Sequence, residues 1–278
     1  MDHIIVEVIG GLGNQLFQYA FGRAVSMQRG AELTLDASAF SSYKLRNFVL
    51  DNFGVEANIC SEPPDATLPL YREPHFHYDH SVFSQIGSMR YSGYWQSERY
   101  FSQVADKIRS EIQLRCAWPE YYQQLASYMI QEESVAVHVR RGDYASNAST
   151  RAFHGLASVK YFGLAMRLMR SRLARPRFYV FSDDIDWCRE NFCGADIEFI
   201  DIIPGDDDQG LQDCRELHLM SRCRHYILSN SSFSWWSAWL GGDEQTVVVA
   251  PDPWFANPEL CTRDLLFPGW NMLPIGGD

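Results

Sequence analysis

Nowhere does the chain approach about 18 uninterrupted apolar residues, so no transmembrane span is expected. Its first residues, Met1-Asp2-His3-Ile4, lack a basic segment leading into an apolar core, so no signal peptide is expected either. Positive charge is scarce: 24 Lys and Arg against 35 Asp and Glu give a formal net charge of -11. That balance argues against a general nucleic-acid binder, whose footprint is a basic field, but leaves room for a local arginine site that takes a nucleotide. The seven cysteines are odd in number and form no C-x-x-C, which excludes the usual disulfide framework and points to reduced thiols. No Ser-His-Asp or Cys-His arrangement can be assembled from spacing, so nucleophilic hydrolysis has no support. No internal repeat or low-complexity tract stands out. These absences describe a cytoplasmic protein. What is present is 278 residues, 46% hydrophobic and 14% aromatic, enough for one large or two small domains with a proper core.

The N-terminus opens with an apolar strand over residues 4–9, broken by Gly10-Gly11-Leu12-Gly13. Asn14 can cap a helix running to about Arg29, and Leu33-Thr34-Leu35-Asp36 reads as a second strand. Residues 41–118 are irregular and aromatic-rich, marked by Pro63, Pro64, Pro69 and Pro74. After them strand and helix alternate: helices over 119–131, 159–172, 185–192, 213–223 and 232–240, and strands before His138 and over 178–181, 197–203, 226–228 and 246–250. Alternation of this kind predicts parallel sheets with crossover helices, in two Rossmann-like halves. The division is placed at residues 1–130 and 131–278.

His138-Val139-Arg140-Arg141-Gly142-Asp143-Tyr144 is the most informative stretch. It follows the strand-like Ser134-Val135-Ala136-Val137, so a buried strand delivers an imidazole, two guanidiniums and a carboxylate to a sheet edge. Open α/β sheets bind ligands at such an edge, and a guanidinium forks two donors onto phosphate oxygens. Taken alone, the segment is also compatible with an arginine–aspartate pair that merely closes a loop.

Other segments carry chemistry of their own. Gly11-x-Gly13 with Asp36 invites comparison with dinucleotide binding, though the third position is Leu16, neither Gly nor Ala. Ser182-Asp183-Asp184 sits where a strand gives way to a helix; a carboxylate there can hold a guanine edge or simply cap the helix. In the stretch 229–236, Ser231 and Ser232 open a helix whose free N–H groups suit an anion, or again only cap it, while Trp235, Trp236 and Trp239 read as core. His75, His77 and His80 have no helix to set ligand spacing, so no metal site is expected; a sugar-facing surface of Phe76, Tyr78, Tyr94 and Trp95 fits the segment better. Asp206-Asp207-Asp208 reads as a solvated loop. Arg167, Arg170, Arg172, Arg175 and Arg177 read as a solvated helix face, with contact to anionic lipid as the alternative.

Taken in order, the glycine loop through Tyr19, the arginine motif, Ser182-Asp183-Asp184 and residues 229–236 resemble the bacterial α-1,2-fucosyltransferases of glycosyltransferase family eleven. The resemblance implies an α/β fold of GT-B type, two Rossmann-like domains facing a cleft, with GDP-fucose in the C-terminal half and the acceptor at the N-terminal half. It implies that Arg140 grips the β-phosphate with Arg141 in support, and that His138 and one of Asp183 or Asp184 contact guanine. Ser231 and Ser232 then contact the diphosphate, Asn14 and Gln15 line the cleft, and His154, followed by Gly155, matches a family pattern of less certain role. The implied reaction is inverting and metal-independent, moving L-fucose from GDP-β-L-fucose to the 2-hydroxyl of a terminal β-galactoside, with a free sugar or a lipid-linked O-antigen unit as acceptor. Asp143 is the first candidate for the general base, against an Asp143–Arg141 ion pair or a helper carboxylate in the N-terminal half. No nucleic acid is expected as partner, and at most peripheral contact with the inner face of the bacterial inner membrane. The rival readings are an NAD-dependent oxidoreductase using Gly11, Gly13 and Asp36, a non-catalytic GDP-sugar or glycan binder, and a transferase of another GDP-sugar or linkage.

Overall fold

The structure, a computed structural model, describes residues 1–43, 46–201 and 209–276, and of Asp143, Ser146 and Gln209 only the backbone. The Asp206-Asp207-Asp208 run therefore lies outside the described residues. Two compact units emerge. Unit 1 comprises Met1–Cys116 with Gln209–Cys214 and Cys261–Leu265; unit 2 holds Ala117–Asp208, Arg215–Leu260 and Leu266–Asp278. The chain thus divides first at 116/117 rather than at 130/131, because the helix over Glu120–Gln131 goes with the strand that follows it: Ser134 Oγ donates to the Met129 carbonyl.

Unit 1 is a five-stranded sheet built from β1 (His3–Glu7), β2 (Glu32–Asp36), β3 (Asn58–Cys60), β4 (Leu70–Arg72) and β5 (Met89–Ser92), with helices α1 (Leu12–Arg29) and α2 (Ala105–Glu111). The strand order is β3-β2-β1-β5-β4, and every pairing is parallel. Helix α1 starts at Leu12 with Gly11 as its N-cap, so Asn14 belongs to the first turn and is not the cap. The glycine that brings the helix close to the strands lies at position 22, whereas position 16 holds a leucine. At Gly22 a Cβ would lie 2.7 Å from Val6 and 2.8 Å from Leu33, so only a residue without a side chain lets α1 settle on β1 and β2. The core beside it is aromatic: Phe21 stacks on Trp95 at 3.9 Å, and Tyr91 and Tyr100 meet the same ring edge-on.

Unit 2 contains α3 (Glu120–Gln131), β6 (Glu133–Val139), α4 (Gly142–Ser146), α5 (Ala148–His154), α6 (Val159–Arg172) and β7 (Pro176–Ser182). It continues with α7 (Ile185–Asn191), β8 (Ile197–Phe199), α8 (Gln209–Met220, which begins in unit 1), β9 (His225–Ile227), α9 (Ser232–Gly241), β10 (Val248–Asp252) and β11 (Asn271–Pro274). Its six strands are ordered β11-β10-β9-β6-β7-β8, again all parallel. Strand β6 is buried along almost its whole length, as a central parallel strand must be. Its Val135, Val137 and Val139 pack with Phe162, Met166 and Met169 of α6. Trp235, Trp236 and Trp239 are buried in the core. Arg170 pairs with Asp196 and Arg177 with Glu198, so these two members of the basic stretch are matched by acidic neighbours. All seven cysteines are unpaired. Among the described residues no helix is long and apolar enough to cross a membrane.

Candidate functional site

The order of the unit 2 sheet locates a site before any side chain is considered. From β6 the chain runs outward through β7 and β8, then returns to β9 on the other side and continues to β10 and β11. The order reverses between β6 and β9, and in open parallel sheets ligands bind outside the carboxyl ends of the strands at that reversal. The arginine motif follows β6 and the serine motif follows β9, so two segments 91 residues apart meet there: His138 Nδ1 lies 2.8 Å from Ser229 Oγ.

The two arginines are held by the two aspartates. Arg140 Nη1 pairs with Asp183 Oδ2 at 2.7 Å, and the Arg141 backbone N–H donates to Asp183 Oδ1 at 2.8 Å. Arg141 Nε donates to Asp184 Oδ2 at 3.0 Å while its guanidinium lies 3.9 Å over the Trp187 ring. Asp184 is also the N-cap of α7, its Oδ1 accepting from Trp187 N at 3.3 Å. Asp183 and Asp184, one of which is expected at a guanine edge, thus hold the arginine loop and the start of α7 with both oxygens of each carboxylate. Arg141 thus has Asp184 as a carboxylate partner, and the side chain of Asp143, named as a general base or as an ion-pair partner of Arg141, lies outside the described residues. Ser182 Oγ donates to the Val139 carbonyl at 2.8 Å, tying the ends of β6 and β7 together. Gly142 is required by this closeness: a Cβ there would stand 2.5 Å from Asp183 Oδ2.

His138 is buried, and burial together with the Arg140 charge lowers its pKa to about 3. At neutral pH it is an uncharged imidazole beside permanently charged guanidiniums, a hydrogen-bonding group rather than a proton carrier. Its ring tilts against Phe233 at 5.3 Å, in the first turn of α9. Ser231 caps that helix, accepting from Phe233 N at 3.3 Å, and Ser232 opens it. Capping and anion binding are compatible here, because one side chain satisfies one N–H and a helix start has four unpaired ones.

His154, given no firm role by sequence, closes the far side. Its ring stacks on Tyr144 at 4.6 Å, and its carbonyl accepts from Asn230 Nδ2 at 2.6 Å. The Tyr144 ring lies 5.6 Å from the Arg140 guanidinium, so His154, Tyr144 and Arg140 form one stack beside the β9 end. Tyr144, Asn230 and Trp187 are functional neighbours that sequence reasoning missed. The first two lie inside quoted motifs, and Trp187 sits three residues after the capping Asp184, where a signal existed but was not used.

The unit 1 residues part company. Asn14 Oδ1 accepts from Gln96 Nε2 at 2.8 Å near the start of α1, half-buried. Gln15, expected beside it as a lining residue, is fully buried and donates to the carbonyls of Gly10 and Asn47 while accepting from Val49 N. Its amide is saturated by backbone, so it frames the loop. Asp36 is likewise buried and accepts from Ser38 N at 3.0 Å, ending β2 rather than presenting its carboxylate as a ribose ligand. In the proposed sugar-facing surface, Trp95 is wholly buried against Phe21, whereas Tyr94 is 41% exposed.

The model of the family described as glycosyl transferase family 11 matches residues 71–274. An α-1,2-colitosyltransferase of Escherichia coli is 34% identical over 288 residues, covering 95% of this chain and 96% of that protein. A galactoside α-(1,2)-fucosyltransferase of Leontocebus fuscicollis is 28% identical, over 87% of this chain and 66% of that one. Among solved structures, the α-1,6-fucosyltransferase NodZ soaked with GDP-fucose matches with a TM-score of 0.51, covering 86% of this chain and 93% of that chain at 14% identity. At that identity the likeness speaks for the fold, which is of GT-B type: α/β, with parallel sheets in Rossmann-like units.

Proposed function

The chain belongs to glycosyl transferase family 11, and from that premise we propose that it is an inverting α-1,2-fucosyltransferase. It moves L-fucose from GDP-β-L-fucose to the 2-hydroxyl of a terminal β-galactoside. The observation that carries this reading is the convergence of Arg140, Arg141 and the start of α9 at the strand-order reversal of the unit 2 sheet. As the bond from C1 to the β-phosphate oxygen breaks, negative charge grows on the departing diphosphate. Arg140, steadied by Asp183, and the N–H groups of α9 meet that charge most strongly in the transition state. Fixed guanidinium charge supplies what a divalent ion supplies in other transferases, so full activity is expected in excess EDTA. A strict need for added Mn²⁺ would count against this mechanism.

A second donor is favoured by one observation, the colitosyltransferase name of the relative that is 34% identical. Colitose differs from L-fucose by the absence of one hydroxyl, so both sugars fit the same leaving-group chemistry. One experiment tests both readings: GDP-fucose and GDP-colitose are offered with a panel of β-galactosides in EDTA, and NMR reads the product linkage. An α-1,2 product supports the proposal, and failure of both donors with every galactoside overturns it.

A further inference from the structure

In unit 1 the strand order reverses between β1 and β5, and what lies at the carboxyl ends there is a carboxylate. Gln18 marks the spot, accepting from Ile9 N after β1 and donating to the Gly93 carbonyl after β5, each at 3.0 Å. Next in the sheet is β4, and the residue that follows it is Glu73. We propose that Glu73 is the catalytic base that takes the proton of the acceptor hydroxyl. This rests on the transferase reading above.

The loop after β5 is built around this carboxylate. Tyr94 N donates to its Oε2 at 2.7 Å and Trp95 N to its Oε1 at 3.1 Å. Each oxygen keeps a second lone pair for a further donor, and the side chain is half-buried rather than sealed. Gly93 is the only residue type the approach allows, since a Cβ would stand 2.5 Å from Glu73 Cβ and 2.8 Å from its Oε2. Trp95 holds φ at +56°, unusual for a non-glycine residue, and its ring is locked on Phe21. Strain of this kind held by packing is a mark of functional loops. Exposed Tyr94 and the Asn14–Gln96 pair supply an aromatic face and amides suited to a sugar.

The electrostatics agree. Burial raises the Glu73 pKa to about 7 against the lowering effect of the two N–H groups. The titratable groups that feel its charge are the Tyr71, Tyr94 and Tyr100 phenols, all pushed upward by burial first. A base with that affinity is half-ionised at neutral pH and accepts a proton there readily. In the step, the acceptor oxygen forms a bond to C1 and its proton passes to Glu73. The C1–O bond to the diphosphate breaks, and GDP leaves with the electron pair.

The test uses the full chain with GDP-fucose and a β-galactoside. Glu73→Gln is expected to bind GDP like the wild type but to lose about 10²- to 10⁴-fold in kcat. Wild-type kcat should rise with pH to a plateau above about 7, and Glu73→Gln should lack that rise. Azide, a nucleophile with no proton to lose, should yield fucosyl azide with Glu73→Ala. Transfer by Glu73→Gln within about tenfold of wild type, with the same acidic limb, overturns the proposal. So does azide rescue of Asp143→Asn in place of Glu73→Ala. If Glu73→Gln does not fold, Glu73→Asp retains a carboxylate one methylene short; kcat should fall with GDP affinity unchanged, and an unchanged kcat overturns the proposal. A wild type that uses no donor at all defeats the transferase reading instead.

Discussion

Asp183 decides where Arg140 points. A guanidinium on a loop has rotamer freedom to lose, and the 2.7 Å pair with Asp183 removes much of it before any diphosphate arrives. Arg140→Ala should therefore lower kcat/KM by about 10²- to 10³-fold. Its melting temperature should stay within about 4 °C of wild type, because the pair is partly solvated and contributes little to folding. Steady-state kinetics beside a thermal melt checks both halves. Gly142→Ala attacks the same geometry from behind. Its added methyl displaces Asp183 Oδ2, at a cost of about 1–3 kcal/mol, and comes within 3.9 Å of the Arg140 guanidinium carbon, so it should weaken GDP binding in calorimetry with both arginines retained in the sequence. The importance of Arg140 was readable in sequence. The duty of Asp183 was not, since an aspartate at a strand end serves equally as cap, base contact or clamp, and only distances to Arg140 and Arg141 separate these.

Among the elements, much of the unit 2 alternation was legible because β6, β7 and β10 carry buried apolar runs and α6 carries a stripe of matching period. Strands β3, β4, β5 and β11 went unseen for the opposite reason. Each has only three or four residues; β3, β4 and β11 have none buried and β5 has Met89 and Tyr91, and sequences such as Leu70-Tyr71-Arg72 show neither alternation nor an apolar run. Helices α4 and α5, absent from the helices expected from sequence, are short and held by their ends: Asn147 caps α5, and Arg151 Nε donates to the Tyr144 carbonyl at 3.2 Å. The packing duty of Gly22 also escaped the sequence, where a glycine inside a helix looks merely weak. Gly22→Val should drive its methyls into Val6 and Leu33 and lower stability by about 1–3 kcal/mol, read as a shift in the urea midpoint.

For the molecule as a whole, buried histidines set the acid response. His138 at about 3 and His218 at about 4 stay neutral when folded, both lowered first by burial, from an ordinary 6.5. Below about 6.5 the unfolded chain takes up protons that the folded chain refuses, so stability is full above that value and declines toward 4 and below. Glu73 runs the other way: protonated more readily when folded, it loses stabilising effect as pH rises from 4.5 to about 7. With two histidines against one carboxyl, the urea midpoint should fall between pH 7 and pH 5, and His218→Gln should make that fall shallower. One more property follows from how unit 1 is assembled. Asp264 accepts from Tyr78 N, Ser97 Oγ and Arg99 Nη1, so the first unit is completed by residues the chain supplies near its end. On the ribosome, therefore, the N-terminal unit waits for residues 261–265 to be translated before it can close, and the order of synthesis is not the order of completion.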